Sequence, residues 1–215
     1  MAVKIIAVAK QLPKYSRETK DIIPFVKLWM QDQDDRFQRK VIKIFEGAGV
    51  DKRYSIMNPE EVFTATSFEE KNNIYTSEVV HLAEESLKKS LSKARLKATD
   101  LDYIITVSCT GIMIPSLDAY LINSFKMKQD IVRLPVTEMG CAAGVSGIIY
   151  AKNFLKSNPN KRAIVVAVEA PTATFQLEDY SMTNIVSAAI FGDGASSVIM
   201  SSHEEDEGPK IIDEA

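Results

Sequence analysis

Five short runs constrain this chain most. They are Lys4–Lys10 (KIIAVAK), Tyr103–Cys109 (YIITVSC), Ile131–Val136 (IVRLPV), Ala163–Ala170 (AIVVAVEA) and Ser196–Ser202 (SSVIMSS). A strand with one wet face alternates apolar and polar residues, whereas most of these runs are nearly continuous in β-branched residues. They therefore need cover on both faces. Helical stripes fall between them. Phe37, Val41, Ile44 and Phe45 share one face; Val79, Leu82, Ala83, Leu87 and Leu91 share another. A third helix is expected after Ser116, with Leu117, Leu121, Ile122 and Phe125 inward, a fourth at or just after Cys141, and a fifth within Tyr180–Ile190. Strands alternating with helices predict a layered α/β fold, a mixed sheet with flanking helices.

Composition narrows the function classes. With 215 residues and 46% apolar content the chain makes one large domain or two small ones. A net charge of −3 gives no electrostatic case for nucleic acid as a partner. No apolar run approaches the roughly 20 residues that span a bilayer, so no membrane partner is expected. The apolar start reads as a first strand and not a signal peptide, because Lys4 and Lys10 lie within it and no small-residue cleavage site follows. Two cysteines do not make a disulfide framework, which predicts a reduced, cytoplasmic protein. After the acidic turn HEEDEG (His203–Gly208), the segment PKIIDEA opens another apolar stretch with no evident partner. The expectation is that these residues belong to a longer protein.

Cys141 is the residue with the most chemical potential. A cysteine is often a small buried hydrophobe. Here Gly140 precedes it, allowing a tight strand-to-helix turn, and Ala142, Ala143, Gly144, Ser146 and Gly147 follow. Two glycines cost such a helix about 1 kcal/mol each relative to alanine, which suits a segment that something must approach closely. A thiol on the first turn points at unpaired N–H groups and the positive end of the dipole, and both favour the thiolate. An acyl-accepting cysteine needs that setting. It also needs a base. His81 shares a polar helical face with Glu84, Glu85 and Lys88, and His203 sits in the acidic turn, so neither is placed for the role.

The motifs EGAGVDKRY (Glu46–Tyr54), VSCTGIMIPSLDAYL (Val107–Leu121), EMGCAAG (Glu138–Gly144), VEAPTATF (Val168–Phe175) and FGDGASSVIM (Phe191–Met200) run over nearly the whole chain. In order and spacing they resemble the N-terminal half of type III polyketide synthases, the chalcone and stilbene synthase family. The resemblance implies a thiolase-like fold, with residues 1–215 as one half of a five-layered αβαβα sandwich. It implies that Cys141 takes an acyl group from acyl-CoA and that malonyl-CoA then loses CO2 and extends it. It also implies a homodimer that uses CoA thioesters directly, with no metal and no further cofactor. The family's catalytic histidine and asparagine lie in the C-terminal half, outside this sequence.

The same resemblance assigns further residues. Phe191 matches a gatekeeping aromatic; on the residues alone it reads as a core phenylalanine beside a Gly-Asp-Gly turn. Gly192, Asp193 and Gly194 read as loop shape. Arg36, Arg39, Lys40 and Lys43 lie opposite the apolar stripe of their helix, ordinarily a solvated face. Lys40 and Lys43 fall on positions that grip CoA phosphates, while Gly47 falls on a third that is normally basic. Thr110 and Thr174 match the substrate cavity, or else are strand-end hydroxyls bonded to backbone. Ile114 matches an apolar residue that crosses the dimer interface into the partner's cavity. The rival readings are a condensing enzyme like ketoacyl-ACP synthase III and a non-catalytic fragment or dimerisation module.

Overall fold

The computed structural model describes residues 2–64 and 67–212. Its elements, in chain order, begin with β1 (Lys4–Gln11), β2 (Tyr15–Glu18), α1 (Thr19–Trp29), α2 (Asp35–Gly47), β3 (Lys52–Ser55), α3 (Pro59–Val62) and α4 (Phe68–Ala94). They continue with β4 (Tyr103–Val107), α5 (Leu117–Ser124), β5 (Val132–Val136), α6 (Ala143–Ser157), β6 (Arg162–Glu169), α7 (Met182–Ile190) and β7 (Gly194–Ser201). Single 3-10 turns sit at Ala98–Asp100, Gly140–Ala142 and Pro171–Thr174. The chain divides into two units. A sheet unit comprises Met1–Gln11, Val79–Val168 and Ala195–Ala215; a helical unit comprises Leu12–Glu78 and Glu169–Gly194.

All five expected strands lie in one mixed sheet of order β1-β7-β6-β4-β5. β4 runs parallel to both β5 and β6, and β1 runs antiparallel to β7. Every residue of β4 is buried, as are Ala163–Val166 and Val168 of β6, which is why those runs do not alternate. Ile105, Val107 and Val165 meet Ala151 and Leu155 of α6 in the core. Each valine, leucine or isoleucine among them contributes about 1.5–3 kcal/mol by leaving water. α6 comes closest at Gly147, where a Cβ would stand 2.9 Å from Val165 Cγ1. The close approach expected of this glycine-bearing helix is therefore made by the sheet. β5 ends the sheet at one edge, is mostly exposed, and carries Pro135, which suits an edge.

The apolar segment at the end of the sequence has a partner after all. Ile5 N–H donates to Pro209 O at 2.9 Å and Ile211 N–H to Val3 O at 2.9 Å, so it extends the sheet beside β1. The expectation of an unpartnered segment fails because its partner lies some 200 residues away in sequence. Asp213–Ala215 lie outside the described residues.

The helical unit contains what the sequence hid. β2 and β3 pair antiparallel, Tyr15 with Ser55 and Glu18 with Lys52, and neither four-residue strand carries an apolar pattern. α1 holds Pro24 within it, which interrupts any helix signal. Val26 of α1 and Met30, which caps it, pack with Val41 and Phe45 of α2 and with Ile185 and Ala189 of α7. Trp29 stacks on Tyr180 and meets Phe175 edge-on, both with ring centroids 5.1 Å apart. α2 and α7 start at side-chain caps: Asp34 accepts from Phe37 N–H and Ser181 from Asn184 N–H.

Candidate active site

β4 and β5 end side by side. Val107 pairs with Val136, and Ser108 N–H donates to Val136 O at 3.2 Å. The loops that start at Ser108 and Thr137 therefore leave the same edge of the sheet, the carboxyl ends of parallel strands, where α/β proteins gather ligand-binding groups. From β5 the chain must reverse into α6 within a few residues. It does so with two left-handed residues, Glu138 at φ 61° and Gly140 at φ 64°. Nothing lies within 4 Å of where a Gly140 Cβ would be, so glycine answers to the backbone angle and not to space. Glu138 has no such freedom, and its conformation costs about 1–2 kcal/mol. That strain sits three residues before the candidate nucleophile.

Cys141 occupies the 3-10 turn Gly140–Ala142, two residues before α6, and is exposed. The sequence placed it on the first turn of the helix itself; the chain tightens to 3-10 geometry first. No side chain caps the amino end of α6, and a Cβ at Gly144 would meet nothing within 4 Å. The thiol thus stands beside a helix start whose N–H groups are not taken by a side chain. His81 is exposed on α4 and His203 is half-buried, and neither hydrogen-bonds to Cys141 among the described residues.

The neighbouring loop carries Cys109, Thr110 and Ile114. Cys109 is exposed, Thr110 is half-buried, and Ile114 is 91% exposed and followed by a cis peptide to Pro115. The loop is held at its far end. Ser116 Oγ donates to Asp118 Oδ1 at 2.6 Å, the fully buried Asp118 carboxylate pairs with Arg133 of β5, and Arg133 also donates to Ser116 Oγ at 3.2 Å. Asp118 and Arg133 are structural supports that the sequence reading did not single out. The structure thus brings Cys141 and Thr110 to one sheet edge.

The remaining candidates lie in the helical unit. Arg36, Arg39, Lys40, Lys43 and Ile44 line an open groove of about 480 Å³ along α2. Only Arg39 has an acidic partner, Asp35 at 4.0 Å and well exposed; among the described residues Arg36, Lys40 and Lys43 have none. Such a groove suits an anion. It adds Arg36 and Arg39 to the two lysines picked from the sequence. Gly47 is not part of its lining. Arg53, by contrast, is buried. It donates to Thr19 Oγ1 at 2.5 Å and to Ala189 O, and sits 5.6 Å over the Phe45 ring.

Phe191 is 42% exposed, so it is no core side chain. It caps α7, with its N–H donating to Ser187 O at 3.0 Å. Two residues on, Asp193 is only 4% exposed. Its Oδ2 accepts from Ile56 N–H at 2.7 Å and from the Thr172 hydroxyl, and its Oδ1 accepts from Thr172 N–H at 3.1 Å. Its own N–H donates to Tyr54 O at 2.9 Å. Burial pushes the Asp193 carboxyl up to about 6 against the pull of these donors. Loop shape, expected of Gly192–Gly194, is thus the work of one buried carboxylate that ties three segments. Thr174 is exposed on the 3-10 turn, and its hydroxyl donates to Pro171 O at 2.8 Å, the local bond that such a threonine offers its backbone.

Comparison with known proteins gives these placements a context. The family model for FAE1/type III polyketide synthase-like proteins matches residues 10–210. The chain is 33% identical over 159 residues to the 1,3,6,8-tetrahydroxynaphthalene synthase of Streptomyces coelicolor, covering 74% of this chain and 42% of that protein. It is 29% identical over 162 residues to the phloroglucinol synthase of Pseudomonas fluorescens, covering 75% of this chain and 46% of that protein. The crystal structure of the Streptomyces coelicolor 1,3,6,8-tetrahydroxynaphthalene synthase superposes with a TM-score of 0.89 at 27% identity, covering 95% of this chain and 58% of that one. The chain spans about half the length of the curated relatives it matches.

Proposed function

This chain belongs to the FAE1/type III polyketide synthase-like family, and from that premise we propose that Cys141 is the acyl-accepting nucleophile of a malonyl-CoA-condensing polyketide synthase. The architecture is thiolase-like, and the carrier-protein-dependent condensing enzyme is not favoured. The observation that carries the residue assignment is the exposed Cys141 thiol, set by two left-handed residues at the carboxyl end of a parallel strand, before an uncapped helix.

In this reading the Cys141 thiolate attacks the carbonyl carbon of acyl-CoA. The carbon–sulfur bond to CoA breaks, CoA leaves as a thiolate that takes up a proton, and an acyl thioester remains on Cys141. Malonyl-CoA then loses CO2, leaving its electron pair as the enolate of acetyl-CoA. That carbon attacks the Cys141 thioester, a carbon–carbon bond forms, and the Cys141 thiolate departs. The product is a β-ketoacyl-CoA. The turn around Cys141 holds the thiol in place, and the uncapped N–H groups of α6 favour its anion before attack and after release. The histidine and asparagine that the family uses to stabilise the enolate oxygen would come from polypeptide outside these 215 residues. Neither His81 nor His203 substitutes for them in this reading.

Arg36, Arg39, Lys40 and Lys43 would hold the CoA phosphates, which lie far from the reacting carbon. Phe191, Thr110 and Thr174 would line the path and cavity of the growing chain. Ile114, almost wholly exposed, would be covered by a second copy in a homodimer. No metal or prosthetic arm enters any of these steps.

The test is product formation by the intact protein that carries this sequence. With acyl-CoA and malonyl-CoA it should release CO2 and form polyketide, and Cys141→Ala should form none. Polyketide from that variant would remove Cys141 from the role. The 215-residue chain alone should give no product.

A further inference from the structure

Resting on the reading above, in which Phe191 and Thr174 line the acyl cavity, we propose that Asp193 and Thr172 form a positioning clasp that sets which acyl chains the cavity accepts. Phe191 and Thr174 are both exposed and neither has side-chain packing that would fix it in a core. Each lies two residues from the same buried contact. Phe191 precedes Asp193 by two positions; Thr174 follows Thr172 by two. Between the two segments stands one carboxylate, receiving both the N–H and the hydroxyl of Thr172.

The clasp is anchored on every side. The Ile56 N–H donates to the same carboxylate at 2.7 Å, and Asp193 N–H returns to Tyr54 O at 2.9 Å. Gly192, between Phe191 and Asp193, runs alongside Tyr54, where a Cβ would make ordinary contact with its carbonyl oxygen at 3.4 Å. The far end of the turn is pinned separately: Lys71, 5% exposed, donates from Nζ to Phe175 O at 2.6 Å. Thr174 therefore sits between two buried anchors of opposite charge.

The backbone N–H groups of Ile56 and Thr172 hold the carboxylate whatever side chain stands at position 172. The Thr172 hydroxyl is the partner that sequence can tune without breaking the turn. Losing it leaves the nucleophile untouched and lets the Thr174 side of the wall move relative to Phe191. Pockets that measure acyl chains discriminate by roughly tenfold or more for a methylene of room, so a small displacement has a readable effect.

The measurement is kcat/KM for acetyl-CoA and for hexanoyl-CoA as starters, with malonyl-CoA as extender, in the intact protein. Thr172→Val keeps the volume and removes the hydroxyl donor; Thr172→Ser keeps the donor. The ratio of the two kcat/KM values should shift by about threefold or more in Thr172→Val and stay at the wild-type value in Thr172→Ser. If Thr172→Val lowers both starters equally, with or without a lower melting temperature, the contact is only structural and the clasp is overturned. Wild-type protein that condenses no acyl-CoA at all would overturn the underlying reading and the clasp's role with it. Wild-type turnover with an unmoved ratio overturns the clasp alone.

Discussion

In the sheet unit Asp102 accepts from two ammonium groups, Lys128 at 2.8 Å and Lys161 at 2.9 Å, and from Arg162 N–H at 3.0 Å, whereas in the helical unit Asp193 is held by hydroxyl and backbone donors alone. The consequences run in opposite directions. Burial pushes the Asp102 carboxyl up, but the bonds from Lys128, Arg162 and Lys161 outweigh it and hold it below the usual range. Asp206 is likewise held low, chiefly by Arg162, which donates to it through two nitrogens. In the helical unit burial prevails. It raises Asp193 and lowers Arg53 and Lys71. The sheet unit gives Asp102, Asp118 and Asp206 cationic partners; the helical unit leaves Asp193, Arg53 and Lys71 to hydroxyl and backbone groups. The second arrangement is costlier for stability, and it lies beside the proposed cavity wall.

The largest expected effect separates the two directly. Asp193→Ala strips partners from two backbone N–H groups and a hydroxyl in a buried site, which should cost about 3 kcal/mol or more. Asp102→Ala leaves one N–H without its side-chain partner and two lysines that rehydrate, about 1–2 kcal/mol. Chemical denaturation of both variants gives the comparison, and equal losses would break it. The pH dependence sharpens it. The folded chain protonates Asp193 near 6, against an ordinary value of 3.8, so between about pH 6 and 4 it binds a proton that the unfolded chain does not. Stability from Asp193 therefore rises as pH falls through that window, by up to about 3 kcal/mol. Asp102 and Asp206 act with the other sign: their contribution is present above the ordinary aspartate value and is lost as pH falls below it. Asp193→Asn should abolish the gain between pH 7 and 5, and an unchanged slope would contradict the raised value.

A smaller effect tests packing in the sheet unit. Gly147→Ala puts a methyl 2.9 Å from Val165 and should destabilise by about 1–3 kcal/mol. Gly144→Ala meets nothing and should stabilise α6 by about 0.5–1 kcal/mol. Melting temperatures that move the same way would show that the two glycines do not differ as described. A comparably small effect falls on the exposed basic groove. Lys40→Ala in the intact protein should raise the KM for a CoA thioester about three- to tenfold with kcat nearly unchanged, because a distant phosphate contact binds ground and transition states alike. An unchanged KM would take Lys40 out of the groove's function.

Much of the sheet unit was legible in the sequence, because strands covered on both faces lose their alternation and helices between them keep a stripe. Its least legible parts are the pairing of Ile211 with Val3, which only the folded register supplies, and the strained Glu138, which carries none of glycine's licence for a positive φ. The helical unit was harder. β2 and β3 are polar four-residue strands, and Pro24 breaks the pattern of α1. For the site, the glycine before Cys141 and the basic face of α2 were readable as residue types at a spacing. Asp193 was not, because its partners are the N–H groups of Ile56 and Thr172, and nothing in a residue's identity says which backbone donors will face it.

The central claim is that the Cys141 thiol accepts the acyl group, and intact-protein and peptide mass spectrometry test it most directly. After brief exposure of the intact protein to an acyl-CoA without malonyl-CoA, the peptide containing Cys141 should carry one acyl group, removable by hydroxylamine, and the Cys109 peptide should carry none. An acyl group on Cys109 instead, or none on Cys141 while the protein still makes polyketide, would contradict the account.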